Sequence, residues 1–463
     1  MRILILGINF YPEAVGTGKY TGEMAMWLAA RGHEVRVVTA PPHNPQWRVL
    51  PEWNSWAYSE ERIPIKGARI SGASLPLPAE IRVFRCPLWI PRSPNGIRRL
   101  AYLLSFGLSS WPAMLRQANW RPQLVLLVEP TLFCAVQALV LKLCSGAKAW
   151  LHVQDFEVDA AFELGDFSSS WIRRAALTVE RALLRRFDRV SAISDRMVDR
   201  LMRKGVEPSR CIHFPNWVDT RQICPLSAPS RFRRELGIDD RTTIAMYSGS
   251  MGKKQGLDLL VEAAKRLSHR EDLHFVFCGE GSYRQAFAQK AKDLPNVSLL
   301  PLQPPNRLND LLNLADIHLL PQRADAADLV MPSKLTGILA SGRPVVATAD
   351  PGTQLERAVA GHGLVVPPAD LDAFASAILQ LTVDADLRSR LGQEARKYSL
   401  AHLDFDGILL KFEQAILSIC NSDDYNRTER SGTTKELTMQ QYESPSAESR
   451  RELAIADTHK LDH

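Results

Sequence analysis

Two glycine-rich turns, one in each half of the chain, are the features of this sequence that most directly predict chemistry. The first contains Gly16 and Gly18, and the second contains Gly249 and Ser250. Each turn follows an apolar run typical of a β-strand and precedes a helical pattern. Such a turn directs bare backbone N–H groups and the positive end of a helix dipole to one point, which favours an anionic ligand, above all phosphate. The alternative is that these glycines only tighten two βα turns, since neither turn completes a G-x-G-x-x-G pattern.

Titratable side chains follow another apolar run. His152 lies near the end of the run, and Asp155 and Glu157 come directly after it. The end of a strand in a parallel sheet is where α/β folds place ligand-binding groups. A carboxylate at that place can orient an acceptor hydroxyl or take its proton. These three residues are therefore our candidate catalytic groups, although a lone histidine at a strand end is often a structural residue.

The chain must contain two α/β units to position these groups. Apolar runs alternate with helical patterns in both halves, which indicates parallel sheets covered on both faces. We predict an α/β fold with two facing Rossmann-like domains at 1–222 and 223–400, a closing helix at 401–420 and a disordered polar tail at 421–463. Among the predicted strands are the runs 2–6, 34–39, 124–128, 148–153 and 243–248.

Composition excludes several classes of protein. The formal net charge of +6 over 463 residues is too modest to argue for a nucleic-acid partner, and we expect none. Seven scattered cysteines contain no C-x-x-C pair, which indicates a reducing compartment and no zinc site. The amino terminus does not read as a signal peptide, and no stretch of about 20 apolar residues predicts a membrane-spanning helix. We expect a cytoplasmic protein.

One segment, 81–128, breaks the ordinary pattern of charges. It contains seven arginines and no acidic residue, with tryptophans, tyrosine and leucines between them. An apolar helical stripe with arginine flanks is typical of a surface that lies on an anionic membrane. The alternative is a helix that packs in the core and extends its arginines to solvent. We predict peripheral binding to the inner face of the plasma membrane.

Several motifs, in this order along the chain, resemble those of the GT4-type retaining glycosyltransferases of GT-B fold. They are Gly-Thr-Gly at 16–18, Leu-His-Val-Gln-Asp at 151–155, Phe-Pro-Asn-Trp-Val-Asp at 214–219, Tyr-Ser-Gly at 247–249, Pro-Ser-Lys at 332–334 and Ala-Ser-Gly-Arg-Pro-Val-Val at 340–346. The resemblance covers about residues 1–418. It implies a cleft in which the N-terminal domain binds the acceptor and the C-terminal domain binds a GDP- or UDP-linked sugar.

Longer stretches, at 7–13, 18–24 and 151–159, are similar to the members of this family that act in exopolysaccharide (colanic acid) biosynthesis. That similarity implies transfer of a sugar, with fucose as one assignment, to a saccharide linked to a polyprenyl diphosphate lipid. Two other functions stay open at this point: a sugar-nucleotide epimerase of the same architecture, or a non-catalytic assembly subunit.

The resemblance also assigns donor-binding residues. The family's usual arginine and lysine beside the second turn are replaced here by Ser250 and Gln255, so the diphosphate needs another cation. Lys334, preceded by Ser333, is the main candidate, and Lys254 is the second. Further donor contacts are expected from Glu280, near the nucleoside, and from the backbone of Leu302, near the base.

The family's paired glutamates correspond here to Leu329 and Gly337, which carry no carboxylate; Asp325 and Asp328 lie nearby and could substitute. We expect no metal and no cofactor besides the nucleotide-sugar substrate. Enzymes of this fold stabilise the leaving diphosphate with backbone N–H groups and basic side chains. The D-x-D sequence at 384–386 is expected to be a helix cap.

Overall fold

The computed structural model of the protein describes residues 1–65, 80–91, 96–156, 159, 170–252, 255–322 and 333–430. Residues 1–420 pack as one compact unit. This unit contains two β-sheets with helices on their faces. The division that we predicted at 222/223 stays a prediction.

The first sheet lies entirely in the N-terminal half of the chain. Its strands are β1 (Arg2–Leu6), β2 (Glu34–Thr39), β3 (Ser59–Pro64), β4 (Glu80–Arg85), β5 (Leu124–Val128), β6 (Lys148–Val153), β7 (Arg189–Ala192) and β8 (Cys211–His213). They lie in the order β3-β4-β2-β1-β5-β6-β7-β8. All neighbouring pairs are parallel except β3 with β4, which is antiparallel.

The second sheet is parallel throughout. Its strands are β9 (Thr243–Ser248), β10 (Leu273–Cys278), β11 (Val297–Leu300), β12 (Ile317–Leu320), β13 (Val345–Thr348) and β14 (Gly363–Val366). They lie in the order β11-β10-β9-β12-β13-β14.

Helices connect the strands and cover both sheets. The described helices are α1 (Gly16–Ala30), α2 (Gly96–Ala118), α3 (Ala135–Ser145), α4 (Ser170–Leu184), α5 (Asp195–Arg203), α6 (Arg231–Leu236), α7 (Asp258–Arg266), α8 (Arg284–Ala291), α9 (Leu308–Leu312), α10 (Lys334–Ala340), α11 (Gln354–Val359), α12 (Leu371–Val383), α13 (Ala385–His402) and α14 (Phe405–Arg430). Short 3-10 turns occupy 132–134, 208–210 and 305–307.

The central strands are almost wholly apolar because helices bury both of their faces. All five residues of β5 are buried. Successive side chains of a strand point to opposite faces, so Leu4 and Leu127 enter one apolar cluster while Ile3 and Leu126 enter another. This arrangement confirms the predicted α/β class and its parallel sheets.

Helix α14 returns from the C-terminal half to pack on the first sheet. Phe412 stacks on Phe214 with ring centroids 4.2 Å apart and packs edge-on against Trp150 at 4.9 Å. Glu413 accepts hydrogen bonds from Arg31 Nη2 at 2.8 Å. The part of the predicted closing helix within 405–420 therefore ties the end of the compact unit to its beginning.

The structure differs from the sequence-based prediction at two places. Strand β3, with the sequence Ser-Glu-Glu-Arg-Ile-Pro, was not predicted because it has charged residues where a strand pattern needs apolar ones. Helix α14 continues to Arg430, so residues 421–430 are helical rather than disordered as we predicted. The remaining tail, 431–463, lies outside the described residues.

Candidate active site

The candidate site lies at the carboxyl ends of the strands of both sheets, where the two glycine turns are found. Tyr20 of α1 is buried, and burial raises the pKa of its hydroxyl while the neighbouring side chain of Thr336, in α10, partly offsets that rise. Tyr20 comes two residues after Gly18, and Thr336 comes two residues after Lys334. This contact brings the first turn and the predicted diphosphate-binding loop to the same place.

Lys334 is a half-buried cation held beneath the second turn. Its Nζ donates a hydrogen bond to the Tyr247 hydroxyl at 3.0 Å and lies 4.2 Å from the centre of the Tyr247 ring. The Tyr247 hydroxyl in turn donates to the carbonyl oxygen of Ser250 at 2.5 Å. Burial lowers the pKa of Lys334 to about 8. Within the described ranges, no carboxylate forms an ion pair with Lys334.

Partial burial disfavours the charged form of an amine, and an anion that binds beside it offsets that cost. The geometry at Gly249 indicates where this anion would lie. With φ at +137°, Gly249 has a backbone conformation that favours glycine, and a Cβ there would lie 3.1 Å from Lys334 Nζ. Because Gly249 has no side chain, one small ligand could contact both the backbone of Gly249 and the ammonium of Lys334.

A second loop supports the turn at 249. Met251 N donates to Glu280 O at 2.8 Å, and Gly249 N donates to Cys278 O at 2.9 Å. A Cβ on Gly279 would overlap the carbonyl oxygen of Gly249. The two loops therefore require glycine for their close approach, and together they form one rigid wall of the site.

The remaining donor candidates of the second half lie at the surface of this wall. The Glu280 side chain is exposed and lies 3.4 Å from Arg284 Nε. Leu302, just after β11, is half exposed. Ser333 caps α10 without a side-chain hydrogen bond and is exposed. Lys254 lies outside the described residues, as do the four residues considered with the paired glutamates except Gly337.

In the first turn, Gly16 has φ at +59° and begins α1, while Gly18 is buried against Glu13. Sequence reasoning missed Glu13. Its carboxylate is almost fully buried and accepts hydrogen bonds from Asn9 Nδ2 at 3.0 Å and from the backbone N–H groups of His43 and Asn44 at 2.9 and 3.0 Å. An acidic residue within an otherwise apolar turn was the available signal. Glu13 fixes the loop after β2 beside the first turn.

His152 is buried, and both of its ring nitrogens are engaged within the protein. Gln154 Nε2 donates to His152 Nε2 at 2.9 Å, so Nδ1 carries the proton and donates to Ser191 Oγ at 2.9 Å. Burial lowers the pKa of His152 to about 3. The imidazole is therefore neutral near pH 7, and a proton transfer from it to substrate would need another arrangement of its partners.

The structure places Asp155 just beyond this ring, half-buried, at the same strand end. Glu157 lies outside the described residues. Gln154 also donates to Asn216 Oδ1 at 3.1 Å, which links the His-Val-Gln-Asp and Pro-Asn-Trp motifs across the sheet. The catalytic roles of His152, Asp155 and Glu157 stay predictions.

Among the described residues, no cluster of three His, Cys, Asp or Glu side chains could hold a metal ion. Asp384 accepts a hydrogen bond from Leu387 N at 2.8 Å and caps α13, as the sequence predicted.

Comparisons with known proteins agree with this geometry. Residues 15–217 match the glycosyl transferase 4-like domain, and residues 230–398 match the glycosyl transferases group 1 family. A protein of Escherichia coli (strain K12) named as a colanic acid biosynthesis glycosyl transferase, WcaI, is 39% identical over 89% of this chain and 98% of its own length. The chain belongs to the GT4 family of glycosyltransferases.

Solved structures show the same fold for this glycosyltransferase. The sucrose-phosphate synthase of Thermosynechococcus elongatus superposes with a TM-score of 0.69 at 18% identity, over 91% of this chain and all of the synthase chain. Anabaena HepE, solved in complex with UDP and glucose, superposes with a TM-score of 0.63 at 14% identity, over 90% of this chain and all of HepE. The predicted family and the GT-B fold are confirmed.

Proposed function

We propose that this glycosyltransferase moves a sugar from a UDP- or GDP-linked donor to a polyprenyl-diphosphate-linked saccharide, with retention of the anomeric configuration. Fucose is our first candidate for the sugar, and exopolysaccharide of the colanic acid type is our candidate product, because of the similarity to WcaI. The observation that carries the donor side of the proposal is Lys334, a half-buried ammonium that lies against the glycine turn and forms no ion pair with a carboxylate of the described residues.

Lys334 has the chemistry that the leaving group requires. As the bond to the sugar breaks, negative charge grows on the departing diphosphate. A positioned ammonium in a water-poor site stabilises that charge strongly, and it replaces the metal on which other glycosyltransferases rely. The neutral partner of Lys334, the Tyr247 hydroxyl, holds the ammonium in position without cancelling its charge. HepE, which shares this fold, was solved in complex with UDP, which supports a nucleotide-linked donor.

The acceptor side of the proposal rests on the strand end that follows β6. His152 is neutral and fixed by Ser191 and Gln154, so it supplies shape rather than charge. We propose that Asp155, three residues further on, orients the acceptor hydroxyl or takes its proton.

Helix α2 supports an acceptor that is linked to a lipid. One face of α2 is buried in the core through Tyr102 and Phe106. Leu100, Leu104 and Leu108 lie on its other face and are 40%, 43% and 63% exposed. The spacing of four residues aligns these leucines along the helix. A row of exposed leucines is the apolar part of a surface that can lie in a membrane interface.

This apolar surface continues over the neighbouring helices. Ser110 Oγ of α2 donates to Gln137 Oε1 of α3 at 3.0 Å, and Lys142 of α3 donates to Arg186 O, just after α4, at 3.2 Å. Exposed apolar side chains on α3 and α4 are Val136, Leu143, Trp171 and Val179. None of the helices in the described part of the chain is long and apolar enough to cross a bilayer.

Four of the seven arginines in segment 81–128 form two contrasting pairs. Arg82 and Arg85, in β4, lie beside acids: Arg82 Nε is 3.4 Å from Glu80 and Arg85 Nε is 2.7 Å from Glu61. These two arginines are paired with acids within the protein, so we do not assign them a role in membrane binding. Arg98 and Arg99, at the start of α2, form no ion pair with any described residue. We propose that Arg98 and Arg99 contact anionic lipid headgroups.

Release of UDP or GDP from a panel of nucleotide sugars, with and without a bacterial membrane lipid extract, tests the proposed function. We expect one donor to be consumed in a lipid-dependent manner. An epimerase would convert its nucleotide sugar without lipid, and a non-catalytic subunit would release no nucleotide. The Lys334→Ala variant should lose about 2–4 kcal/mol of transition-state stabilisation, the value of one preorganised donor. Lys265→Ala, which removes an exposed lysine of α7, is the matched control.

A further inference from the structure

A cavity of about 540 Å³ lies at the amino-terminal edge of the second sheet. One wall is formed by a face of α13, and the other by the residues that directly precede β12 and β13. The charged and polar residues that line the cavity and enter the argument are Asp316, Arg343, Arg388, Ser389, Arg396 and Lys397.

The cavity is separate from the donor site. Lys334 begins α10 at the carboxyl edge of the sheet, whereas Gly342, two residues beyond the end of the same helix, lines the cavity. The seven residues of α10 span about 10 Å at 1.5 Å per residue. The same diphosphate could not occupy both places.

The lining has a strong excess of positive charge. It contains four basic side chains and one carboxylate, that of Asp316. This carboxylate already accepts hydrogen bonds from Arg233 Nη2 at 2.5 Å and from Ile244 N at 2.9 Å. Arg343 Nη1 lies 4.0 Å from Asp316, at the limit of an ion pair. The single carboxylate of Asp316 is therefore shared by Arg233, Arg343 and the Ile244 N–H, and the lining keeps an excess of positive charge.

Arg343 carries a buried donor: its Nε–H donates to no acceptor among the described residues. Burial lowers the pKa of Arg343, the Asp316 carboxylate partly offsets that effect, and the positive charges of Arg233 and Arg388 lower the pKa further. A buried N–H donor without an acceptor costs free energy, and like charges close together add to that cost. An anion in the cavity would relieve both.

The other basic residues differ in their contacts with the protein. Arg388 Nη1 donates to the carbonyl oxygens of Leu381 and Thr382 at 2.5 and 2.7 Å, so the other nitrogens of its guanidinium are those that could contact an anion. Arg396 donates to the carbonyl oxygens of Thr220, Ile223 and Ala340 at 2.8–2.9 Å, so it joins α13 to the segment that connects the two sheets and to the end of α10. Lys397, beside it on α13, is 69% exposed and pairs with Glu394 at 2.6 Å. Arg396 thus has a structural role, while Lys397 is available to a ligand that enters from solvent.

We propose that this cavity binds a small phosphate-bearing anion, either inorganic phosphate or the phosphate group of a sugar phosphate, through Arg343, Arg388 and Lys397. Guanidinium groups suit phosphate because their N–H donors match its oxygens in pairs. The Ser389 hydroxyl at the same wall adds a neutral donor. A bound anion would link α13 to the turn before β13 and so stabilise the region where the connecting segment is attached.

Thermal unfolding of the full chain in increasing inorganic phosphate, against chloride at equal ionic strength, tests the proposal. We expect a saturable rise in the midpoint, and the same rise in the Lys334→Ala background, which removes the donor-site ammonium. Replacement of Arg343 and Lys397 together by Gln should raise the half-saturating phosphate concentration at least about tenfold, as loss of a charge-assisted hydrogen bond does. Arg390→Gln, an exposed arginine of α13 outside the cavity, should behave as wild type.

Lys397→Gln alone, at an exposed position, provides a test that does not depend on the folding of an Arg343 variant; it should weaken phosphate binding measurably. Glucose 1-phosphate in place of phosphate identifies the source of the anion: a lower half-saturating concentration indicates a sugar phosphate, and an equal or higher one indicates inorganic phosphate. The proposal is wrong if phosphate gives no rise over chloride, if the rise is unchanged in the double variant, or if it disappears with Lys334→Ala.

Discussion

Lys334 Nζ lies 3.1 Å from the point that a Cβ at position 249 would occupy, although the two residues are 85 positions apart in the sequence. The contact explains why a glycine is needed in the second turn. Gly249 leaves room for the ammonium below the turn and supplies a backbone that a phosphate can approach. The candidate donor site therefore depends on both loops, the turn at Gly249 and the start of α10 at Lys334.

Gly249→Ala should consequently displace Lys334. The new methyl group would meet Lys334 Nζ and Cε at 3.1 and 3.2 Å, and φ of +137° is unfavourable for alanine. We expect a loss of about 1–3 kcal/mol in the free energy of unfolding. The loss of affinity for a nucleoside diphosphate should be larger than this destabilisation can explain. Gly252→Ala is the matched control, since nothing lies within 4 Å of a Cβ there. Chemical denaturation and titration calorimetry with UDP and GDP measure both effects, and equal behaviour of the two variants would refute this role of Gly249.

Binding of the nucleoside diphosphate should weaken above pH 8. Burial lowers the pKa of Lys334 to about 8 in the free protein, so above that pH the neutral amine must regain a proton before it can bind an anion. We expect affinity to fall by up to about tenfold per pH unit above 8, with uptake of a proton on binding. Titration calorimetry at pH 9 in buffers of different ionisation enthalpy measures that proton.

Two further results check the assignment to Lys334. In Lys334→Arg the affinity should become independent of pH in this range, because a guanidinium keeps its charge. In the absence of ligand, the folded-state pKa lies below the ordinary lysine value of 10.5, so the unfolded chain binds more protons between about pH 8 and 10.5. The contribution of Lys334 to the free energy of unfolding should therefore rise with pH in that window. A pH dependence that persists in Lys334→Arg would assign the effect to another group.

His152 should stay neutral throughout the working pH range. Burial lowers the pKa of His152 from the usual 6.5 to about 3. As the pH falls from 6.5 to about 3, the unfolded chain therefore binds a proton at this residue while the folded chain does not. We expect the stability difference between wild type and His152→Gln to shrink on acidification by up to about 1.4 kcal/mol per pH unit below 6.5. NMR of the imidazole nitrogens at pH 5 should show the neutral ring, and a protonated ring would contradict the hydrogen-bond arrangement.

Much of the fold follows from local sequence patterns, and the site follows from them in part. The runs at 2–6 and 243–248 form strands because continuous apolar sequence can be buried on both faces. Both glycine turns are where the sequence placed them. Strand β3 could not be predicted, since pairing with β4, rather than its own charged sequence, makes it a strand.

Local sequence patterns do not predict contacts between side chains that are far apart in the sequence. The partners that bury His152 come from another strand and from the residue two positions on, so the sequence suggested a catalytic group where the structure shows a fixed, neutral ring. The Tyr20–Thr336 contact joins the two halves of the chain, and no local pattern reports it. The sequence of α13 does not predict the cavity, because its arginines have the pattern of an ordinary solvent-exposed helix surface. Only the fold places the residues before β12 and β13 opposite them.

Vesicle binding should depend on the start of α2. Each basic residue near an anionic bilayer contributes about 1 kcal/mol, and salt screens that attraction. Replacement of Arg98 and Arg99 by Glu should strongly reduce cosedimentation with anionic vesicles at low salt while nucleotide binding is unchanged. The same charge change at Arg231 and Arg234, two exposed residues of α6, is the control. If both pairs reduce binding equally, net charge rather than the α2 surface causes it; a lower melting temperature for the α2 pair alone would indicate a structural role.

The most direct test of the central claim is transfer itself, followed with a ¹³C-labelled donor from the panel and a lipid-linked saccharide fraction, in the presence of EDTA. We predict labelled sugar on the lipid fraction, with the anomeric configuration of the donor retained in the NMR spectrum, and loss of the signal in Lys334→Ala but not in Lys265→Ala. Product with inverted configuration, a strict requirement for added Mg²⁺ or Mn²⁺, or full transfer by Lys334→Ala would contradict the account.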